Sequence, residues 1–342
     1  NEELVDKYTH MTAFWPLYDY ISAATADICN AYEKYFQMYQ RTPLTHPFNI
    51  NYHTDEQTKR DLNRLTEMLE GKRLAESQCI IPLGYPSLDE GMHRAEASQK
   101  PRASITYAPT PVIGKEHWKP YISIHSHGER IMEALLRAFP EQPVVFKPYT
   151  DEASETIRPI LETGRHFANF VHDQSGGNYH ELYESTSVMV SDFSGAAYTF
   201  SLAHLQPTVF FSHNETNLPP IVAQSAFSKF RTEVGEVTTD CDQPVRAVRH
   251  AIDHPEMYRE RIRNTRRQVM FKPGNSARYF ADNIEYILND RPHPDWRYYG
   301  AFPTPRGRHR NLHGDGAHWL QRSQYHHQLG NMALERTQAD LT

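Results

Sequence analysis

An aspartate, a serine and a glycine stand where a strand-like apolar run passes into a helix-like run. In the stretch VMVSDFSGAAYTF (188–200), Asp192, Ser194 and Gly195 occupy this junction. The N-terminus of a helix presents N–H groups and a positive dipole end that favour a phosphate, and glycine lets the phosphate approach closely. A serine at the same place also acts as an ordinary N-cap. The residues alone leave both interpretations open.

Further polar residues follow other predicted strands. They are Thr110, Lys147, Ser175, Gly176, Gly177 and the run Ser-His-Asn-Glu at 212–215. The carboxyl ends of parallel strands meet at one edge of a sheet, where ligands of open α/β sheets bind. Hydroxyls, one lysine and several glycines at that edge suit an anionic ligand that is held mainly by hydrogen bonds.

Motifs for several other chemistries are absent from the sequence. No Walker motif, GxGxxG fingerprint or GxSxG elbow is present, which argues against an ATPase, a typical dinucleotide enzyme and an α/β-hydrolase. His125 and His127 have alternating spacing, but no acidic or cysteine cluster accompanies them, so no metal or cofactor is predicted. The chain has 3 cysteines, too few and too far apart for a disulfide framework, which favours a reducing cytoplasm.

The order of predicted elements indicates an α/β fold. From residue 103 onward, short apolar runs alternate with helical patterns in units of about thirty residues, which is typical of parallel βαβ crossovers. The predicted strands are ASITY, VVF, HFANFVH, VMVSD, PTVFFS and GEVTT, and helices are predicted at about 243–253, 255–271 and 275–289, after those that separate the strands. The sequence therefore predicts a doubly wound parallel sheet with helices on both faces.

The two ends of the chain differ from this middle part. Residues 1 to about 40 are predicted to be helical, and the stretch 91–102 resembles a linker. The tail is rich in Pro, Arg, His and aromatic residues and has weak periodicity. We therefore predict a short, mostly helical N-terminal part (1–95), a Rossmann-like domain (96–290) and a C-terminal tail (291–342), the last serving to wrap the body, to reach a second subunit, or to stay partly disordered.

Composition narrows the class of protein. The chain has 342 residues, 39% of them hydrophobic and 23% charged, and a formal net charge of -6, so it lacks the basic field of a nucleic-acid-binding protein. No apolar run approaches the roughly 18 residues that a transmembrane helix needs, and no secretory leader pattern opens the chain. These features favour a cytoplasmic protein.

Five segments taken together resemble one family. They occur in the order LGYPSLDE, ITYAPTP, VVFKPY, SGGNYHELYESTSVMVSDFSGAAYTFSLAHLQPTVFFS and FKPGNSARYFADNIEYIL. Over about residues 80–290 the chain resembles the CDP-glycerol glycerophosphotransferases, the polymerases and primases of teichoic acids and related capsule polymers. The strongest match is 175–212.

The resemblance implies a GT-B architecture of two Rossmann-like domains, with the donor nucleotide bound mostly by the C-terminal one. It implies that Ser194 and Gly195 hold the donor pyrophosphate and that Asp192 shapes the turn. Thr110 and Lys147 would face the same pocket from neighbouring strand ends. The loop of Ser175, Gly176 and Gly177 would approach the base or ribose. No bound metal is implied.

Two departures concern the catalytic residues. The family usually ends its second strand with a basic residue, a spacer and His-Pro, whereas this chain has Lys147-Pro148-Tyr149. The family's proposed base is a His-Gly pair before the Gly-Tyr-Pro turn, and none precedes Gly84 here. His127, which is followed by glycine in another region, and His10 are the candidates for the base.

The resemblance leads to a functional hypothesis. The chain is expected to move glycerol phosphate or a related polyol phosphate from CDP-glycerol or a similar donor to a polymer or lipid-linked acceptor. The alternatives are another GT-B enzyme that uses a nucleotide sugar and a catalytically degraded nucleotide-binding module of such a complex. Contact with the inner face of the membrane through RGRHR (306–310), and a homo-oligomer, stay open.

Overall fold

The computed structural model of this chain describes residues 20–41, 77–111, 121–149, 154–176, 179–218, 223, 226–289 and 291–300. Two predicted site residues, His10 and Gly177, lie outside these ranges, as does the tail from residue 301 onward. Within the described ranges, no helix is both long and apolar enough to cross a bilayer.

Among the described residues, the strands form two sheets. The strands are β1 (Tyr20–Ser22), β2 (Ser77–Ile81), β3 (Ser104–Tyr107), β4 (Val144–Phe146), β5 (Phe170–His172), β6 (Thr186–Ser191), β7 (Thr208–Phe211), β8 (Gly235–Thr238) and β9 (Arg297–Gly300). A six-stranded sheet has the order β5-β4-β3-β6-β7-β8, and a three-stranded sheet has the order β1-β2-β9. Every pair in the larger sheet is parallel.

The larger sheet confirms the predicted fold class. The chain runs outward from β3 through β4 to β5, returns to pair β6 with β3, and then continues outward to β8. This is the doubly wound order, and its switch point lies between the carboxyl ends of β3 and β6. Thr110 and Asp192 follow these two strands, so the structure places both at the switch point.

Helices connect the strands. They are α1 (Ala26–Arg41), α2 (Pro86–Ala97), α3 (Ser123–Ser126), α4 (Gly128–Ala138), α5 (Ser154–Gly164), α6 (His180–Ser185), α7 (Gly195–His204), α8 (Ala226–Lys229), α9 (Arg231–Val234), α10 (Gln243–Asp253), α11 (Pro255–Val269) and α12 (Ser276–Leu288). The three helices predicted at 243–289 are confirmed as α10, α11 and α12.

Hydrophobic periodicity explains how these elements pack. In β6, Val188, Met189 and Val190 are all buried, as expected for a strand that is covered on both faces. In α4 the buried residues Ile131 and Leu135 recur at helical spacing and place one face against the sheet. Each such side chain contributes about 1.5–3 kcal/mol when fully buried. This core holds the carboxyl ends of the strands in fixed positions.

Two expectations, about the N-terminal part and the linker, are wrong in detail. Residues 20–22, predicted to be helical, form β1, because Ile21 is buried where β1 pairs with β2. Residues 91–97 of the predicted linker complete α2. In the predicted tail, β9 pairs antiparallel with β2 and Trp296 packs against Cys79, which agrees with the expectation that the tail wraps the body. The division into domains stays a prediction.

Helix α2 ties the small sheet to the larger domain. Its residue Asp89 accepts hydrogen bonds from Ser276 Oγ (3.1 Å) and from Ala277 N (3.2 Å), at the start of α12. The preceding turn contains Gly84 with φ 92°, and a Cβ there would lie 2.3 Å from the Phe271 carbonyl oxygen, so glycine is required. On its other side α2 contacts α7, where a Cβ on Gly91 would lie 3.1 Å from Ala203 Cβ.

Candidate functional site

A buried carboxylate closes the switch point. Asp192, which is 1% exposed, accepts hydrogen bonds from Thr110 N (2.8 Å), Ser123 N (2.8 Å) and Ser123 Oγ (2.7 Å). Because Ser123 gives its hydroxyl proton to Asp192, the Tyr107 hydroxyl donates to Ser123 Oγ at 2.9 Å. Burial raises the pKa of Asp192 above its ordinary value, although the hydrogen bonds from Thr110 and Ser123 favour the carboxylate. Asp192 therefore holds the loop after β3, and the start of α3, against the end of β6.

The N-terminus of α7 opens beside this carboxylate. Ser194 is its N-cap, and the Ser194 hydroxyl accepts from Ala196 N at 3.2 Å. Ser194 therefore acts as an N-cap, one of the two roles that the sequence left open. Gly195 is exposed, and a Cβ on it would meet no atom within 4 Å. The open space lies at the positive end of the helix dipole, where an anion is stabilised by about 0.3–1 kcal/mol or more.

Lys147 holds a neighbouring loop. Its ammonium donates to Asp173 Oδ2 at 2.9 Å and to the Gly176 carbonyl oxygen at 3.2 Å, and the side chains of Lys147 and Asp173 are each 13% exposed. Burial raises the pKa of Asp173, but the hydrogen bonds from Lys147 and Ser175 outweigh burial and bring that pKa below its ordinary value. The ammonium of Lys147 is thus engaged by the loop after β5.

A groove of about 470 Å³ borders this loop and extends along the sheet. At one end its lining includes Asp173, Gln174 and Ser175, which follow β5. It then passes Val145 and Val171 and reaches Ser104 and Pro143, at the amino ends of β3 and β4. A cavity of this size fits a nucleoside-sized group.

His127 lies between α3 and α4, close to the end of β7. Its Nδ1 lies 2.6 Å from Ser126 Oγ, and its ring centroid lies 5.2 Å from that of Phe211 and 4.4 Å from that of His213. Burial, His213 and Arg130 all disfavour the charged form and lower the pKa of His127 below its ordinary value. His127 is therefore mainly neutral at pH 7, as a general base must be.

The position of His127 depends on Asp192. The backbone N–H of His127 donates to the Ser123 carbonyl oxygen at 2.9 Å, and Ser123 is bonded to Asp192. The same segment reaches the loop after β7, because the Tyr121 hydroxyl donates to the Asn217 carbonyl oxygen at 3.4 Å. Hydrogen bonds consequently join the described residues that follow β3, β6 and β7, and we call the surface between them the crevice.

Two groups at this crevice were missed by the sequence reasoning. His213 was noted only as part of the run that follows the fifth predicted strand. Arg231, which is 4% exposed, donates to both carboxylate oxygens of Glu215 (3.0 and 2.6 Å), and its guanidinium lies 5.0 Å from the ring centroid of Phe193. Arg231 thereby joins α9, the β7 loop and the Asp192–Gly195 turn. A lone arginine in a helical stretch gives no signal of this role.

The part of the chain that the structure describes contains no group of three or more His, Cys, Asp or Glu side chains that could hold a metal ion. The carboxylates near the crevice are engaged by protein partners. Asp192 is bonded to Ser123, and Asp173 to Lys147. For Glu215, burial raises the pKa, but the hydrogen bonds from Arg231 outweigh it and leave the pKa lowered.

Comparison with family models and with curated proteins finds no match. Among solved structures, the chain is similar to the wall teichoic acid polymerase TagF, with 15% identity and a TM-score of 0.43. The similarity covers 76% of this chain and 62% of that polymerase, so this chain spans less than two thirds of the TagF chain. That polymerase is of the kind named in the sequence resemblance.

The chain is also similar to two solved structures that contain a uridine nucleotide. One is the UDP-GlcNAc 2-epimerase from Neisseria meningitidis bound to UDP-GlcNAc, with 14% identity, a TM-score of 0.40, and coverage of 83% of this chain and 80% of that one. Another is MnaA from S. aureus in complex with UDP, with 13% identity, a TM-score of 0.37, and coverage of 84% and 80%.

Proposed function

We propose that this chain is a transferase that moves glycerol phosphate, or a related polyol phosphate, from a CDP-activated donor to a cell-surface polymer acceptor. The observation that carries the proposal is the open N-terminus of α7 at the switch point of a doubly wound sheet. It combines a position where such sheets bind ligands with a surface that favours phosphate. The resemblance of residues 175–212 to glycerophosphotransferases supports the choice of donor.

The predicted donor-site residues that the structure describes each have a role in this proposal. Gly195 allows the donor diphosphate to approach the N-terminus of α7, while Ser194 caps that helix. Asp192 and the Thr110 amide hold the crevice in shape. Lys147 positions the loop of Ser175 and Gly176, which borders the groove that we assign to the nucleoside.

The transfer itself needs a base and a stabilised leaving group. The acceptor hydroxyl attacks the donor phosphorus that carries glycerol, and the bond from that phosphorus to the nucleotide breaks. A neutral His127 takes the hydroxyl proton. The N–H groups at the N-terminus of α7 stabilise the charge on the leaving nucleoside phosphate.

The carboxylates that border the crevice support transfer rather than epimerisation of a sugar. An epimerase needs a carboxylate that can reach its substrate, and Asp192, Asp173 and Glu215 are each bound to protein partners. A transferase that uses a nucleotide sugar remains the alternative. The two functions are distinguished by the donor that the protein binds.

Calorimetric titration tests the proposal. CDP-glycerol, CDP, UDP-sugars and CMP-sugars are titrated into the wild type and Ser194→Ala, with Ser201→Ala as a matched serine deletion within α7 that points to Thr208 instead of the crevice. We expect selective binding of the CDP compounds, weakened about fivefold by Ser194→Ala, because the variant loses a hydroxyl that can donate a hydrogen bond of about 1 kcal/mol to the donor phosphate. Binding of UDP-sugars instead would favour the nucleotide-sugar alternative, and binding of no nucleotide would refute the site.

A further inference from the structure

Two exposed histidines lie one helical turn apart at the end of α10. His250 belongs to the last turn of the helix, and His254 is the residue that follows it. Their ring centroids lie 4.5 Å apart with an interplanar angle of 40°. Two histidines at this i, i+4 spacing lie on one face of a helix, as the two histidines of helical zinc sites do.

The hydrogen bonds of His250 fix the position of its ring proton. Its Nδ1 lies 2.7 Å from Glu236 Oε1 and 2.8 Å from the Tyr258 hydroxyl oxygen. An ionised carboxylate only accepts, and the Tyr258 hydroxyl gives its own proton to Glu236, so Nδ1 of His250 is the donor in both contacts. In the neutral ring, the free electron pair is therefore on Nε2.

His254 has the same tautomer for a different reason. Its Nδ1 lies 3.0 Å from the His250 carbonyl oxygen, which can only accept, so the electron pair of neutral His254 is also on Nε2. Within the part of the chain that the structure describes, neither Nε2 atom has a hydrogen-bond partner. Both rings thus use Nδ1 inside the protein and keep Nε2 available as a ligand.

We propose that His250 and His254 bind one divalent transition-metal ion of the zinc class through their Nε2 atoms. Two imidazoles on adjacent positions of such an ion, at metal–nitrogen distances of about 2.0–2.1 Å, have ring centroids about 4.5–5 Å apart. The observed separation of 4.5 Å agrees with this geometry. Imidazole nitrogen suits zinc, copper and nickel, whereas magnesium and calcium prefer oxygen. Water completes the coordination, since the pair supplies two ligands.

Glu236 supports the site without contacting the ion. A carboxylate that accepts from Nδ1 of a metal-binding histidine orients the ring and makes its Nε2 a stronger ligand. Glu236 is itself held by the hydroxyl of Tyr258, which is 1% exposed. The negative charge of Glu236 also offsets the charge of the ion near Arg261, whose guanidinium lies 4.8 Å from the Tyr258 ring centroid.

The site lies away from the crevice. Helix α10 follows the carboxyl end of β8 and runs back along the sheet, because His250 in its last turn contacts Glu236 near the start of β8. A bound ion stabilises the turn between α10 and α11 by mass action and takes no part in the proposed transfer. The inference is therefore independent of the proposed function.

Titration with zinc chloride, followed by NMR, tests the proposal. Proton–nitrogen correlation spectra resolve the ring nitrogens in the wild type, His250→Gln, His254→Gln and His166→Gln. In the wild type, zinc should shift Nε2 of His250 and of His254 with one common midpoint, while both Nδ1 atoms stay protonated. Magnesium chloride should shift neither ring. His166, an exposed histidine after α5, is the matched control, and its replacement should leave the midpoint unchanged.

Each single variant should weaken zinc binding at the remaining histidine at least about tenfold, because the second ligand binds intramolecularly. Circular dichroism checks folding, and His254→Gln, which lies outside α10, keeps the test decisive if His250→Gln disturbs the helix. Zinc-induced shifts that are confined to other histidines would overturn the proposal. An affinity of His250 for zinc that does not change in His254→Gln would overturn it as well.

A fourth variant tests the role of Glu236. Glu236→Gln keeps both ligands and should still weaken zinc binding about tenfold, because the ring of His250 loses its anionic partner. Undiminished affinity in Glu236→Gln would overturn the supporting role of this carboxylate.

Discussion

Replacing Gly195 by glutamate separates the stability of α7 from its ability to bind phosphate. Gly195 is the first residue of α7, and a side chain built on it meets no atom within 4 Å. Glycine has low helix propensity, and an acidic side chain in the first turn interacts favourably with the helix dipole. We expect the free energy of unfolding of Gly195→Glu to stay the same or to rise by up to about 1 kcal/mol, as measured by urea denaturation.

Donor binding should change in the opposite direction. A carboxylate about 5 Å from a donor phosphate repels it by roughly 3 kcal/mol at an effective dielectric constant of about 20, or somewhat less after the side chain reorients. A loss of about 2–3 kcal/mol corresponds to binding that is roughly 30- to 150-fold weaker. Calorimetric titration of CDP-glycerol at low and high salt measures this loss, which should shrink as salt screens the charges.

A second variant controls for the added charge. Gln243→Glu places the same negative charge in the first turn of α10, beyond β8, and a glutamate there can still accept the hydrogen bond that Gln243 Oε1 receives from Thr239 N at 2.9 Å. This variant should bind the donor like the wild type. A folded Gly195→Glu protein with undiminished affinity would refute the assignment of the phosphate to α7.

Three further substitutions test the supporting structure. Ser123→Ala should lower the free energy of unfolding by about 2 kcal/mol, measured in urea, because the buried carboxylate of Asp192 loses a charge-assisted hydrogen bond. An unchanged free energy of unfolding would contradict the role of Asp192 in holding α3. Lys147→Met should lower the free energy of unfolding by about 2 kcal/mol or more, since it leaves Asp173 without its cation. In a double-mutant cycle, the variant that also carries Asp173→Asn should regain part of that free energy. Burial, followed by Arg102, lowers the pKa of His204 to about 4. The unfolded chain therefore binds the extra proton between about pH 6.5 and 4, so stability falls by about 3 kcal/mol as pH drops through that window, and His204→Phe should flatten this dependence in thermal melts.

The larger sheet was predictable from the sequence because its signals are local. The strands β3, β4, β6 and β7 are short apolar runs bounded by turn residues, and α7 begins at a serine followed by glycine. Such features depend on neighbours within a few residues, and burial on both faces of the sheet reinforces them. The parallel topology alone predicted that the polar residues after these strands, such as Thr110 and Asp192, lie at one edge of the sheet.

The contacts that give the crevice its shape were not predictable in this way. Asp192 meets Ser123 across 69 residues of sequence, and β9 pairs with β2 although no apolar alternation marks the tail. His213 carried no signal, because its contact with His127 depends on the docking of α3, which itself depends on Asp192. Tertiary partners decide such positions, and a single sequence does not identify those partners.

A crystal structure with CDP-glycerol bound would test the central claim most directly. We predict a donor phosphate oxygen within about 3 Å of the Gly195 amide nitrogen, with the nucleoside in the groove beside β5 and the glycerol phosphate facing His127 and His213. Donor phosphates bound away from the N-terminus of α7 would contradict the account.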